Sequence, residues 1–178
     1  FFDFDADGDL DIAINGSSIA GSVAGATTRV YRNDGTGTFT QVAGSGLTNS
    51  CNGAIATGDV DGNGLPDIVY TGLDAGGLPV NRVALNSTGS GAFVASDNGL
   101  SPVALSALAL GELDGDGHLD VALLPYPLEG APTNPLEAGN GSPLQLFRGD
   151  GRLGFTRWHA DAPFPKRARA SSTDRCTA

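Results

Sequence analysis

The chain has 178 residues, and its apolar content of 40% is enough to form a core, which excludes an intrinsically disordered chain. Its formal net charge of −10 at pH 7 makes nucleic acid and anionic membrane surfaces unsuitable partners, because like charges repel. No run of 18 apolar residues is present, so the sequence predicts no transmembrane helix.

Three acidic segments align without gaps and indicate a repeat protein. They begin at Asp3, Asp59 and Glu112, so the periods are 56 and 53 residues. A Gly-rich element that ends in Phe recurs between them. We aligned its three copies as residues 31–39, 85–93 and 147–155, which gives a unit of about 50 to 60 residues.

Each unit has the pattern of four β-strands. In the middle unit we predict strands at 54–59, 67–71, 82–86 and 92–95. Val, Ile, Tyr and Phe fill these runs, and Gly, Asn and Ser separate them, as expected for strands and turns. The apolar segment 101–110 aligns with the start of the middle unit, so its second half is predicted to be strand.

These elements predict an all-β fold of β-propeller blades, each made of four antiparallel strands. The blades would cover about residues 1–48, 49–100 and 101–160. Because a propeller closes with about four to eight blades, three blades predict a partial, open propeller. We therefore expect further blades, or other copies of the chain, to complete it.

Two segments depart from the repeat. Residues 125–143 are rich in Pro and Gly and are predicted to form a surface loop. Residues 161–178 hold several basic residues and no strand pattern, and they are predicted to be a disordered tail. A disulfide between Cys51 and Cys176 is the less favoured alternative to two free thiols, because Cys176 lies in that tail. The chain starts inside a repeat without Met, so we expect it to be part of a longer protein.

The acidic segments, which we name loop one (3–11), loop two (59–67) and loop three (112–120), are predicted to bind calcium. Oxygen-bearing side chains at loop positions 1, 3, 5 and 9 and the carbonyl of position 7 can converge on one cation, and Gly at position 6 permits the tight turn. Calcium accepts six to eight oxygens with loose geometry. The turn glycines are Gly8, Gly64 and Gly117. The predicted ligands are Asp3, Asp5, Asp7, Asp11 and the carbonyl of Asp9 in loop one; Asp59, Asp61, Asn63, Asp67 and the carbonyl of Leu65 in loop two; and Glu112, Asp114, Asp116, Asp120 and the carbonyl of His118 in loop three.

Other types of site fit these loops less well. No Cys or His side chain lies at a ligand position, which disfavours zinc and copper, and magnesium prefers fewer protein ligands. An EF-hand requires Glu at position 12, where this chain has Ile14, Tyr70 and Leu123. Solvated acidic turns without metal remain the alternative. Glu112 has the longest side chain at position 1, so loop three is predicted to bind most weakly.

These motifs resemble the FG-GAP/VCBS repeat, the blade of integrin-α-type β-propellers. The likeness is greatest to bacterial secreted proteins, and it covers about residues 1 to 160. It rests on the acidic loops and on further matches such as Asn81-Arg82-Val83 and Gly89 to Phe93. The resemblance implies calcium between the first two strands of a blade, and a role in adhesion or ligand binding. It does not identify the ligand.

From this we expect a calcium-binding, extracellular segment that binds a protein or glycan. The alternatives are a non-catalytic part of a secreted enzyme, such as a polysaccharide lyase or phospholipase, and a structural spacer. No nucleophile can be tied to His118 or His159, so no catalytic site is predicted. Arg148-Gly149-Asp150 spells an integrin-binding tripeptide but aligns with an ordinary hairpin turn.

Overall fold

A computed structural model describes residues 1–96, 99–100, 106–125 and 144–158. These residues form eleven β-strands and one 3-10 helix, Val23–Gly25. The strands are β1 (Ile12–Ser17), β2 (Ala26–Asn33), β3 (Phe39–Gln41), β4 (Ile55–Gly58), β5 (Asp67–Leu73), β6 (Pro79–Asn86), β7 (Phe93–Ser96), β8 (Ser106–Gly111), β9 (Asp120–Pro125), β10 (Gln145–Gly149) and β11 (Phe155–Trp158).

The strands form three antiparallel sheets, each of which is a meander of neighbours in the sequence. Sheet one has the order β1-β2-β3, sheet two β4-β5-β6-β7 and sheet three β8-β9-β10-β11. The predicted all-β class, the strands of the middle unit and the strand in the second half of 101–110 are thus confirmed.

The prediction of four strands in every unit is wrong for the first unit, whose sheet has three. The counterpart of β4 would precede loop one, where only two residues stand. Phe2 forms an isolated antiparallel bridge to Asp11. This bridge matches the pairing of Gly58 with Asp67 in sheet two, so Phe2 occupies the position of the last residue of the first strand.

The first core cluster lies between sheets one and two. Three aromatic side chains meet there, with ring centroids 6.0 Å apart for Phe2 and Phe4 and 6.2 Å apart for Phe4 and Phe93. They pack with Ile68 and Tyr70 of β5, both fully buried. Aromatic pairs at this separation contribute about 0.5–1.5 kcal/mol each beyond their area burial.

The second core cluster lies between sheets two and three. It combines Val69 and Val83 of sheet two with Val121, Leu123 and Phe147 of sheet three, all fully buried. Sheet two is therefore covered on both faces. Face-to-face packing of successive sheets through two separate cores is the arrangement of neighbouring propeller blades.

Hydrogen bonds from polar side chains join neighbouring sheets at Thr71 of β5. The Thr71 hydroxyl lies 2.7 Å from that of Ser106, which links β5 to β8. The Asn15 amide donates to the Thr71 carbonyl at 3.0 Å, which links β1 to the same point. Since Thr71 is fully buried, these bonds satisfy groups that would otherwise be costly to bury.

The strand register corrects one alignment made from the sequence. Tyr31 pairs with Ile12 as Phe147 pairs with Val121, but in sheet two the residue that pairs with Ile68 is Ala84, not Leu85. The turn from β6 to β7 is one residue longer than its counterparts. Leu85 is therefore the structural equivalent of Arg32 and Arg148.

Three expectations fall on residues outside the described ranges: the surface loop within 125–143 beyond its first residue, the tail 161–178 and Cys176. Cys51 is a buried free thiol whose backbone forms a bridge to Leu73. Within the described ranges, no helix is long and apolar enough to cross a membrane.

Neighbouring leucines on β9 provide a test of the second core. Leu123 is fully buried, whereas the adjacent Leu124 is 39% exposed. We expect Leu123→Ala to lower the free energy of unfolding by about 2–5 kcal/mol, because it removes buried methyl groups and leaves a cavity. Leu124→Ala is the control and should cost less than about 1 kcal/mol. Urea denaturation followed by circular dichroism measures both, and equal losses would contradict the assignment of the core.

Candidate metal centres

The three acidic loops occupy equivalent places in the sheets. Loop two connects β4 to β5 and loop three connects β8 to β9. Loop one leads from the bridge at Phe2 into β1. All three candidate centres therefore lie at the same end of their sheets, where the first strand turns into the second.

The carboxylate at position 9 fixes each loop to the sheet. Asp67 is fully buried; its Oδ2 accepts a hydrogen bond from the Val60 amide at 2.8 Å, and its Oδ1 accepts one from the Asn86 amide at 2.8 Å. Asp11 and Asp120 are also fully buried and bind the equivalent two amides. Burial raises the pKa of Asp67 to about 6. A buried carboxylate with a raised pKa is a group that a nearby cation would stabilise in its charged form.

The side chain at position 1 holds the turn. Asp59 accepts hydrogen bonds from the Asn63 amide at 3.0 Å and the Gly64 amide at 2.9 Å, and Asp3 binds the equivalent amides of loop one. Glu112 instead accepts from the amide of Gly115, which lies earlier in its loop. The longer side chain thus folds back onto a different part of the turn.

The turn glycines adopt the predicted conformation. Gly8, Gly64 and Gly117 at position 6 have φ of 95°, 90° and 88°, in the left-handed region that favours glycine. The structure adds a requirement that the sequence alignment missed. Position 4 is also left-handed, with φ of 58° at Ala6 and 74° at Gly62.

Carboxylates at positions 1, 3 and 9 converge in each loop. One oxygen from each of the three residues lies within 4.8 Å of the others in all three loops. The converging sets are Asp3, Asp5 and Asp11; Asp59, Asp61 and Asp67; and Glu112, Asp114 and Asp120. The structure thus brings nine of the predicted ligand residues together in three groups, and Ca²⁺ prefers such oxygen clusters.

Asp5 in particular carries an oxygen suited to a cation. Its side chain is only 8% exposed. Its Oδ1 is buried without a hydrogen-bond partner among the described residues. Burial is the main cause that raises the pKa of Asp5. An unpartnered, buried carboxylate oxygen is costly unless another group, such as a metal ion, satisfies it.

The carboxylates at position 5, Asp7 and Asp116, are not members of the converging sets. The side chain at position 5 accepts a hydrogen bond from the amide of position 7, at 3.0 Å for Asp9 on Asp7 and 2.7 Å for Leu65 on Asn63. The same bond joins the His118 amide to Asp116. The ligand roles predicted for position 5 and for the carbonyl of position 7 stay predictions.

Two arginines beside these loops contact them, a role that the sequence analysis did not predict. Arg32 on β2 binds Asp5 at 2.7 Å, and Arg148 on β10 binds Asp114 at 2.6 Å. Arginine recurring at the same repeat position, at the end of the third strand of a unit, was the available signal. It was not used because the middle unit has no arginine there: the strand register places Leu85 at that position, and the sequence alignment placed Asn86 there.

The tripeptide 148–150 is a structural element of the repeat. The Arg148 guanidinium faces loop three, and Gly149 is so close to the loop that a Cβ there would lie 2.1 Å from the Leu119 carbonyl oxygen. Asp150 caps the following turn by accepting from the amides of Arg152 and Gly154. The interpretation as a hairpin turn is confirmed.

Comparison with known families agrees with this architecture. The model of the FG-GAP-like repeat matches residues 3–70 and 59–123, each of which contains two acidic loops, and together the matches cover more than half of the chain. The chain belongs to the FG-GAP-like repeat family. Among curated proteins, none matches the sequence.

A solved lectin from Agrocybe aegerita is similar in fold. Its structure, described as the basis of specific recognition of non-reducing terminal N-acetylglucosamine, matches with a TM-score of 0.50 at 22% identity. The match covers 87% of this chain and 35% of the lectin chain. The FG-GAP-like chain thus spans about a third of the length of that lectin, and the likeness supports the propeller fold.

Two opposite substitutions at position 4 of the loops test the left-handed backbone conformation there. Ala6→Gly should raise the free energy of unfolding by up to about 1 kcal/mol, because glycine adopts a positive φ without steric cost. Gly62→Ala should lower it by about 1–2 kcal/mol for the converse reason. A Cβ at Gly62 would meet nothing within 4 Å, so the effect is one of backbone conformation alone. Urea denaturation in excess calcium measures both, and shifts of the same sign would contradict the left-handed assignment.

Proposed function

We propose that this FG-GAP-like segment binds calcium at its three acidic loops and serves extracellularly as part of a propeller that binds a glycan or protein ligand. The observation that carries the proposal is the convergence of three carboxylate oxygens within 4.8 Å in each of three equivalent loops. The orphaned Oδ1 of Asp5 adds an independent reason to place a cation in loop one.

Electrostatics supports the presence of a cation in these loops. Three carboxylates held this close repel one another, and a divalent ion removes that repulsion. Calcium at about 100 times its dissociation constant would stabilise each site by about 2.7 kcal/mol. Weak sites of this kind are filled at extracellular calcium concentrations, of order millimolar, which supports an extracellular or cell-surface location.

A cleft between sheets one and two supports ligand binding. It has a volume of about 480 Å³ and opens beside loop one. Arg32, Thr40, Gln41 and Ser90 offer hydrogen-bonding groups at its wall. A wall that combines apolar surface with several hydrogen-bonding groups suits a small ligand such as a sugar unit, and the glycan specificity of the similar lectin favours a glycan over a protein.

We propose that the segment itself is non-catalytic. A histidine available to a triad would need a nucleophile within hydrogen-bond reach, whereas His118 lies exposed in loop three, against Gly151. Membership of a larger secreted enzyme remains compatible with this role. In that case, the segment would supply binding and the catalytic residues would belong to another part of the protein.

Calorimetric titration tests the metal sites. We expect two or three calcium ions per chain, and a melting temperature that falls when EDTA removes them. Asp61→Asn should abolish one site because it removes a converging carboxylate from loop two. Asp9→Asn is the control: it removes a negative charge from loop one but none of the converging carboxylates, and it should keep the full stoichiometry. A melting curve indifferent to EDTA would refute the proposal.

A glycan array tests the ligand. We expect binding in calcium that EDTA abolishes, with glycans that end in N-acetylglucosamine as the first probe. Ser90→Trp should block the cleft and remove glycan binding while calcium stoichiometry is retained. Thr156→Trp places the same side chain at an exposed position of β11 and is the control. A flat array with all variants would favour the structural spacer.

A further inference from the structure

We propose that Arg32 and Arg148 are built-in counter-ions that offset the extra carboxylate at position 5 of loops one and three, so that positions 1, 3, 5 and 9 carry the same formal charge in all three loops. The inference rests on the proposed calcium binding and adds residues outside the loops to it. It derives from a difference among the three units of this chain.

Each arginine bridges positions 3 and 5 of its loop. The Arg32 Nη2 lies 2.7 Å from Asp5 Oδ2 and 3.5 Å from Asp7 Oδ2. In unit three, the Arg148 Nε lies 2.6 Å from Asp114 Oδ2, and its Nη2 lies 2.8 Å from Asp116 Oδ2. The guanidinium thus binds one carboxylate that faces the candidate calcium and one that lies beside it.

In the middle unit, an uncharged hydrogen bond attaches the acidic loop to the third strand of the unit. Strand register places Leu85 where the other units have arginine, and position 5 of loop two is Asn63. The Asn63 Nδ2 donates to the Asn86 carbonyl at 2.9 Å, which ties the loop to the end of β6. Aspartate at position 5 is therefore accompanied by arginine, and asparagine by leucine.

The resulting charges at positions 1, 3, 5 and 9 are equal; the Asp9 side chain, at position 7 of loop one, lies outside this count. Positions 1, 3, 5 and 9 of loops one and three carry four carboxylates, which one guanidinium reduces to a formal charge of −3. Loop two carries three carboxylates and an amide, again −3. A site of −4 would attract a divalent cation more strongly but would destabilise the metal-free fold by added repulsion.

The arginines consequently set calcium affinity and metal-free stability in opposite directions. Removing the guanidinium should tighten calcium binding at its loop by about tenfold at low salt, since the repulsion between two cations several ångströms apart is lost. The same change should lower the melting temperature in EDTA. Because both effects are electrostatic, they should shrink in 1 M salt.

The experiment measures both quantities in one set of variants. Arg32→Leu copies the side chain of the middle unit, and Arg32→Lys keeps the charge as its control. Calorimetry is performed with Asp61→Asn and Asp114→Asn present, so that only loop one reports. We expect tighter calcium binding and a lower melting temperature in EDTA for Arg32→Leu, and small changes for Arg32→Lys.

A reciprocal cycle in loop two covers the case in which Arg32→Leu does not fold. Asn63→Asp should tighten calcium binding at loop two, and adding Leu85→Arg should return the affinity towards that of the wild type. Weaker calcium binding in Arg32→Leu, or additive effects in the cycle, would overturn the inference, because the arginine would then only position Asp5.

The outcomes separate this inference from the proposed function. If the wild-type chain binds no calcium, the proposed function fails. The counter-ion role is then decided by melting in EDTA, where Arg32→Leu must be less stable than both the wild type and Arg32→Lys. An unchanged melting temperature in that comparison would overturn the counter-ion role.

Discussion

The structure of each unit depends on one buried carboxylate at the end of its acidic loop. The Asp67 side chain binds the amide of Val60 within its own loop and the amide of Asn86 at the end of β6. Because the two bonds join the loop to the third strand of the sheet, they define where the first strand turns into the second. The cost of burying this charge is reflected in the raised pKa of Asp67, about 6. A cation at the same point would offset that cost, so the fold and the proposed metal site share one residue.

The two cores explain why the units stack. Sheet two buries Ile68 on one face and Val69 on the other, each against a neighbouring sheet. A blade of this kind cannot bury both faces alone, and its stability comes from its neighbours. Sheets one and three each have a neighbouring sheet on one face within the described residues. Their other faces are where further blades, or further copies, would continue the same packing.

Much of the fold followed from the sequence because its signals are local. The alternation of apolar runs with Gly and Asn located the strands, and Gly8, Gly64 and Gly117 marked the left-handed turns. The alignment of Leu85 with Tyr31 was wrong because the turn after β6 is one residue longer than its counterparts. Such an insertion leaves the composition of the turn unchanged, but it shifts the strand partner of every residue before it. The left-handed conformation at Ala6 was hidden because alanine carries no signal of positive φ. Ion pairs such as Arg32 with Asp5 depend on register, and they became visible only with the sheet assembled.

The candidate metal centre of loop one and the cleft between sheets one and two share one side chain. Arg32 binds Asp5 of loop one and also lines the cleft between sheets one and two. A cation and the guanidinium can use different oxygens of the Asp5 carboxylate, because Arg32 binds Oδ2 while the buried Oδ1 has no hydrogen-bond partner among the described residues. In unit two the equivalent residue is Leu85, which packs against the second core instead. In unit one, Asp5 and Arg32 would therefore connect the proposed calcium site to the cleft, whereas unit two has no equivalent arginine.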